Sequence, residues 1–236
     1  MGREDQEIPL IGGWVTEGVV RVGATVRRPA GGNTRFVAQL LHQLEEMGFE
    51  GAPSFLGYDE QGRETHTFIE GEVPSDCQGI VWTDEQLSAA FKLLRTLHEY
   101  SRETGLAGTE EVVCHNDYGP WNLIWRGGLP VAIIDFDNAA PGRRMDDLGY
   151  AAWKFLNLGL IEVSAAEQGR RLGVVAASYG AELDADLLEA IDAAQAKMQR
   201  LVESTGSGAS REEALAQITH ERIWLERHAH ALMSPR

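Results

Sequence analysis

The stretch "VVCHNDYGPWNLIWRGGLPVAIIDFDNAAPG", residues 112–142, sets His115, Asp117 and Asn122 ahead of one apolar run and Asp135 and Asp137 behind another. Leu123–Trp125 and Val131–Ile134 read as short strands, and Gly127-Gly128 between them supplies the positive φ angles of a tight hairpin. A ribbon folded about that point returns the chain so that Asp135 emerges beside residues 120–122. Asn122 and Asp135 then share one end of the ribbon. A carboxamide oxygen and a carboxylate are hard donors of the kind Mg²⁺ takes when phosphate and water complete its shell. Asp117, five residues before Asn122, is close enough to the same rim to accept a proton from an incoming hydroxyl. Gly119 and Pro120 keep the intervening segment out of helix. These pieces suit phosphoryl transfer.

Outward from that stretch the chain changes character. Residues 8–28 are short β-branched runs broken by Gly12, Gly13, Gly18 and Gly23, which predicts a small antiparallel meander. Residues 33–48 switch to helical period, with Asn33 or Thr34 as N-cap and Gly48 as stop. Strand-like pieces follow at 52–57 and 64–70. From residue 83 the sequence is mostly helical, with capping boxes at Thr83–Gln86, Ser164–Glu167 and Ser210–Glu213. Helices are expected from 83, near 147–158, and over 164–179, 184–203 and 210–232. The predicted fold class is α+β: a small β-rich N-terminal lobe over residues 1–72 and a larger helical lobe over 73–236, with a hinge near "FIEGEVP".

Charge and composition bound the function. A net charge of −15 disfavours nucleic acid and anionic membrane as partners and favours cationic small molecules. No apolar run approaches the roughly 18 residues needed to span a bilayer. The acidic start, "MGREDQEIPL", lacks the basic and apolar regions of a signal peptide, and two cysteines are too few for a disulfide framework. A cytoplasmic protein is expected.

His115, Asp117 and Asn122 fit the kinase catalytic-loop pattern H-x-D-x-x-x-x-N, and "DFD" at 135–137 falls where a kinase carries D-F-G. With "IDFD" and "DDL" at 146–148, the segment resembles the aminoglycoside phosphotransferase and choline kinase family, a family of protein-kinase-like fold. The resemblance implies ATP, or another nucleoside triphosphate, and Mg²⁺ as cofactors. It implies Asp117 as the catalytic aspartate, Asn122 and Asp135 as metal ligands, His115 as a brace of the catalytic loop and Asp147 as a buried structural carboxylate. Asp137 is either a second metal or acceptor contact or a surface residue. "TVRRPA" resembles the third strand of the family and puts Arg27 at the phosphates. "LIGGWV" would cover them through Gly12 and Gly13, and "FIEGE" would read adenine through the backbone of Glu70 and Gly71.

One element of the family pattern is missing. Residues 34–44 contain no acidic residue to pair with the cation of strand three, and Glu45 and Glu46 lie at the far end of that helix. His220, His228 and His230, without partner carboxylates or cysteines at metal-site spacing, read as a solvated helix face. Only eleven residues separate Asp135 from Asp147, too few for the long activation loop on which protein kinases dock polypeptides. The expected acceptor is a small-molecule hydroxyl, with an aminoglycoside or another amine-bearing compound suited to the charge. The alternative is a catalytically silent kinase-fold binding or immunity protein that sequesters a compound or peptide.

Overall fold

In the computed structural model, which describes residues 6–10, 18–74, 76–205 and 208–233, the N-terminal β-branched runs close into one antiparallel sheet. Strands β1 (Ile8–Pro9), β2 (Val20–Val22) and β3 (Thr25–Arg28) form the predicted meander. With β4 (Phe55–Tyr58) and β5 (Glu64–Thr67), the strand order is β1-β2-β3-β5-β4. Helix α1 (Thr34–Glu46) buries Val37, Leu40, Leu41 and Leu44, one stripe at helical spacing. It stops where Gly48 turns to φ +81 and its N–H bonds the Glu45 carbonyl at 2.9 Å. Asn33 precedes the helix without capping it, because its side chain is committed elsewhere.

The 112–142 stretch folds about its glycine pair as read. Between β7 (Leu123–Arg126) and β8 (Leu129–Ile133), Gly127 has φ +59 and Gly128 φ +82, the two left-handed residues of a two-residue hairpin. Upstream and downstream of it, β6 (Val112–Cys114) and β9 (Ala140–Gly142) pair antiparallel, a ladder the apolar pattern did not signal. Glu72 and Trp125 exchange backbone hydrogen bonds of 2.9 and 2.8 Å, and Ile133 N–H reaches the Gly51 carbonyl at 2.8 Å. Gly71, at φ +153, passes so close that a Cβ there would lie 2.4 Å from Ile124 Cγ2. The first compact unit therefore comprises Met1–Cys77 with Thr96–Gly142, and the second Gln78–Arg95 with Arg143–Arg236. Within the first unit, backbone hydrogen bonds tie the hairpin to the N-terminal segment.

Helix α2 (Asp84–Glu103) opens on a complete capping box. Thr83 N–H donates to Gln86 Oε1 at 2.9 Å, and Gln86 N–H returns to Thr83 Oγ1 at 3.2 Å. Helix α3 (Arg144–Leu156) starts three residues before the expected 147 and ends at Asn157, which takes φ +48. Ser164 caps α4 (Ala165–Tyr179) through Glu167 N–H at 3.2 Å, and Asp184 caps α5 (Ala185–Ser204) through Leu187 N–H at 3.1 Å. Helix α6 (Ala209–Met233) begins before its expected cap: Ser210 lies inside it, and the Gly208 carbonyl receives the N–H groups of Arg211 and Glu212. In the second unit α3 and α6 pack against α5, and α4 against α6. Gly149 sits so near α5 that a Cβ would lie 2.5 Å from the Ala190 carbonyl carbon. Among the described residues no helix is long and apolar enough to cross a membrane.

Candidate active site

The loop after β6 is held by a buried imidazole. His115 is fully enclosed; Asp117 N–H donates to its Nδ1 at 3.3 Å, so Nε2 carries the proton given to the Ile134 carbonyl at 3.0 Å. That pair of bonds locks the loop to the end of β8. The Phe136 ring packs on the imidazole with centroids 4.9 Å apart. Two side-chain-bearing residues here adopt left-handed backbone, Asn116 at φ +61 and Asp135 at φ +63, a conformation that Asn and Asp accept more readily than most residues. Asn116 Nδ2 donates to the Asn138 carbonyl at 3.0 Å.

A 3₁₀ turn at Pro120–Asn122 then delivers Asn122 into β7. Its carboxamide donates to the Asp117 carbonyl at 2.9 Å and to Asp117 Oδ2 at 3.0 Å. Both amide protons are thereby spent on Asp117, and among the described residues Oδ1 accepts no hydrogen bond. The Ile134 N–H bonds the Asn122 carbonyl at 2.9 Å, so Asn122 and Asp135 emerge at one end of the ribbon. Asp135 is half-buried and its Oδ1 accepts from Arg28 Nη1 at 3.0 Å, leaving its second oxygen unengaged among the described residues. A carboxamide oxygen and a carboxylate oxygen, with the Asp137 carboxylate nearby, form a donor set that fits a hard divalent cation.

Strand alternation decides which arginine joins them. Successive residues of β3 face opposite sides, so Arg27 and Arg28 cannot both reach the site. Arg28 does: Nη1 meets Asp135 and Nη2 meets Asp137. Arg27, expected at the phosphates, has Nη1 3.8 Å from Asp59 Oδ2, and its Nε is buried without a hydrogen bond among the described residues. Burial opposes the Arg28 charge, but the carboxylates of Asp137 and Asp135 outweigh it and hold its pKa above the usual value. Loss of solvent around Asp137, joined by the like charge of Asp135, outweighs the pull of Arg28 and raises the Asp137 carboxyl. The main-chain carbonyls of Asp137 and Ala139 accept from Asn33 Nδ2 at 3.0 and 2.9 Å, which ties the start of α1 to this segment.

Behind Arg28 stands a residue that the sequence reading passed over. Glu64, 4% exposed, receives the Thr34 hydroxyl on Oε1 and faces His66 Nε2 at 3.1 Å with Oε2. Burial works against its charge, but the Thr34 and His66 hydrogen bonds and the Arg28 charge prevail and lower its pKa. For His66, in contrast, burial is what lowers the pKa, against the pull of Glu64. The available signal was periodicity: in "ETHT" the buried positions are Glu64 and His66, so two titratable groups point where a strand normally hides apolar ones.

The other expected site residues are spread more widely. The Glu70 carbonyl accepts from Arg126 Nη2 at 2.9 Å and its carboxylate pairs with Arg21 at 2.8 Å. Gly71 runs beside the hairpin as described. Asp147 is fully buried on α3. Gly12 and Gly13 lie outside the described residues. His220 and His228 turn to the carbonyls of Gly159 and Trp224, at 3.1 and 2.8 Å.

A model of the phosphotransferase enzyme family matches residues 35–182. The chain belongs to that family. Among curated proteins it is 37% identical to the trifolitoxin immunity protein of Rhizobium leguminosarum bv. trifolii over 180 residues, 70% of this chain and 67% of that one. Among solved structures it resembles choline kinase from Cryptosporidium parvum Iowa II, with a TM-score of 0.62, 12% identity and coverage of 98% of this chain and 91% of that one. It also resembles spectinomycin phosphotransferase solved with ADP and spectinomycin, with a TM-score of 0.57, 12% identity and coverage of 97% and 93%. The α+β fold of this family member is protein-kinase-like.

Proposed function

We propose that the protein is a cytoplasmic phosphotransferase that moves the γ-phosphoryl group of ATP to a hydroxyl of a small molecule. One network carries the reading: Asn122 commits both amide protons to Asp117 and keeps its oxygen for a cation, while Asp135 emerges beside it with one carboxylate oxygen unengaged. Asp117 orients the acceptor hydroxyl and takes its proton as the phosphoryl group transfers. Asn122 and Asp135 are the residues that hold Mg²⁺, with Asp137 beside them, and the ion when bound neutralises charge on the phosphates. Arg28 takes the phosphate-facing place first expected of Arg27. His115 and Asp147 support the loop and the helical region. The backbone of Glu70 and Gly71 reads the nucleobase.

The acceptor is a small molecule carrying an amine, a choice favoured by the net charge of −15 and the eleven residues between Asp135 and Asp147. With Asp117→Asn, turnover falls by about 10²–10⁴-fold while MgATP affinity stays near wild type. Retained turnover in the purified variant would remove Asp117 from the chemistry. With Asp135→Asn, titration calorimetry reads weakened Mg²⁺-dependent ATP binding; equal affinity in both proteins refutes the metal assignment.

The identity to an immunity protein favours a second reading, in which the chain is a catalytically silent kinase-fold protein that sequesters a compound or peptide. Absence of MgATP binding at millimolar nucleotide, in a folded wild-type sample, selects that reading over the first.

A further inference from the structure

The family pattern calls for an acidic residue on helix α1 beside the strand cation, and α1 supplies none that is available. Glu45 accepts from Ser54 Oγ at 2.7 Å, and Glu46 pairs with His42 at 3.3 Å. The carboxylate comes from a different element. In the β3–β5 ladder Arg28 is registered directly opposite Glu64, so the two side chains share one face of the sheet at the closest cross-strand spacing. Glu64 Oε2 lies 4.0 Å from Arg28 Nε, and that Nε is buried with no hydrogen-bond acceptor among the described residues. The two ends of the guanidinium thus meet different groups: the terminal nitrogens face Asp135 and Asp137, and the stem-side nitrogen faces Glu64.

We propose that Glu64, from strand β5, is the residue that positions the Arg28 guanidinium for the nucleotide phosphates, in place of a helix glutamate. The assignment rests on the phosphotransferase reading above. Its logic is competition for charge. Asp135 and Asp137 cannot keep Arg28 as a full ion-pair partner while also serving a divalent cation, whereas Glu64 is closed to solvent and faces no such demand. Two neighbours hold Glu64 itself in place. The Thr34 hydroxyl at the first turn of α1 engages Oε1 and His66 engages Oε2, so the start of α1 still takes part through a hydroxyl.

The test is a double-mutant cycle read by MgATP titration calorimetry on wild type, Glu64→Gln, Arg28→Ala and the double variant. Glu64→Gln is expected to weaken MgATP binding by on the order of tenfold, with no further loss when added to Arg28→Ala. Equal losses in the two backgrounds would mean that Glu64 only supports the sheet, and would overturn the proposal. A comparison of shape with charge guards against a folding artefact, with melting temperatures measured alongside. Glu64→Asp, which keeps the charge, should retain more affinity than Glu64→Gln, which keeps the shape; the reverse order also overturns it. Wild-type protein that binds no MgATP defeats the phosphotransferase reading together with this one. Wild-type binding that Glu64→Gln leaves unchanged defeats only the role of Glu64.

Discussion

A single register position separates the residue that resemblance nominates from the residue that the strand delivers. Arg27 and Arg28 are adjacent and chemically identical, so motif matching has no means of choosing between them; the pleat of β3 does, and it turns Arg28 toward Asp135. The same scale governs a buried acid in the second unit. Glu221 is fully enclosed on α6, with Oε2 accepting from Trp153 Nε1 at 2.8 Å and Oε1 from Gln217 at 3.0 Å. Burial raises its carboxyl pKa against the pull of Gln217, Lys154 and Trp153. The native state therefore binds this proton more tightly than the unfolded chain, where a glutamate titrates near about 4.3. Its contribution to stability is fully present below that value and is lost as pH rises through the native pKa. Glu221→Gln removes that loss, so the melting temperature of the variant relative to wild type should be higher at pH 7 than at pH 4.5. An offset identical at both pH values would show that Glu221 titrates alike in both states.

At the scale of elements, the outcome depended on whether a signal was local. The Thr83–Gln86 and Ser164–Glu167 boxes begin helices where they were expected, because a cap acts within one turn. The hairpin at Gly127-Gly128 was equally legible, since two residues of positive φ suffice to set it. Pairing of β6 with β9 was not, because three apolar residues and the "APG" strand carry no mark of one another. Helix packing in the second unit shows the same dependence on distant sequence. Gly149 interrupts the helical pattern of α3 with no local purpose, yet it allows α3 to approach the backbone of α5 at Ala190. With a Cβ at 2.5 Å from a backbone carbon, Gly149→Ala forces the helices apart. A destabilisation of about 1–3 kcal/mol or more is expected, despite the better helix propensity of alanine. Denaturant unfolding checks it, and a variant as stable as wild type would mean that α3 and α5 can separate without cost.

For the molecule as a whole, a nucleotide that binds only the native state must raise its melting temperature. At one hundred times its dissociation constant MgATP should add about 2.7 kcal/mol, or roughly 5–10 °C for a chain of this size. EDTA should abolish most of the rise, and a melting curve unmoved by saturating MgATP would argue for the silent binding protein. Sequence alone determined the α+β class and the hairpin and put Asp117, Asn122 and Asp135 forward as candidates, because each of these is written in residues within a few positions of one another or across one tight turn. Tertiary structure alone decided that Arg28 rather than Arg27 meets Asp135 and Asp137, that the hairpin groups with the N-terminal sheet, and that Glu64 stands opposite Arg28. All three depend on strand register and on backbone hydrogen bonds between segments far apart in the chain, and neither quantity is encoded in any short stretch of residues.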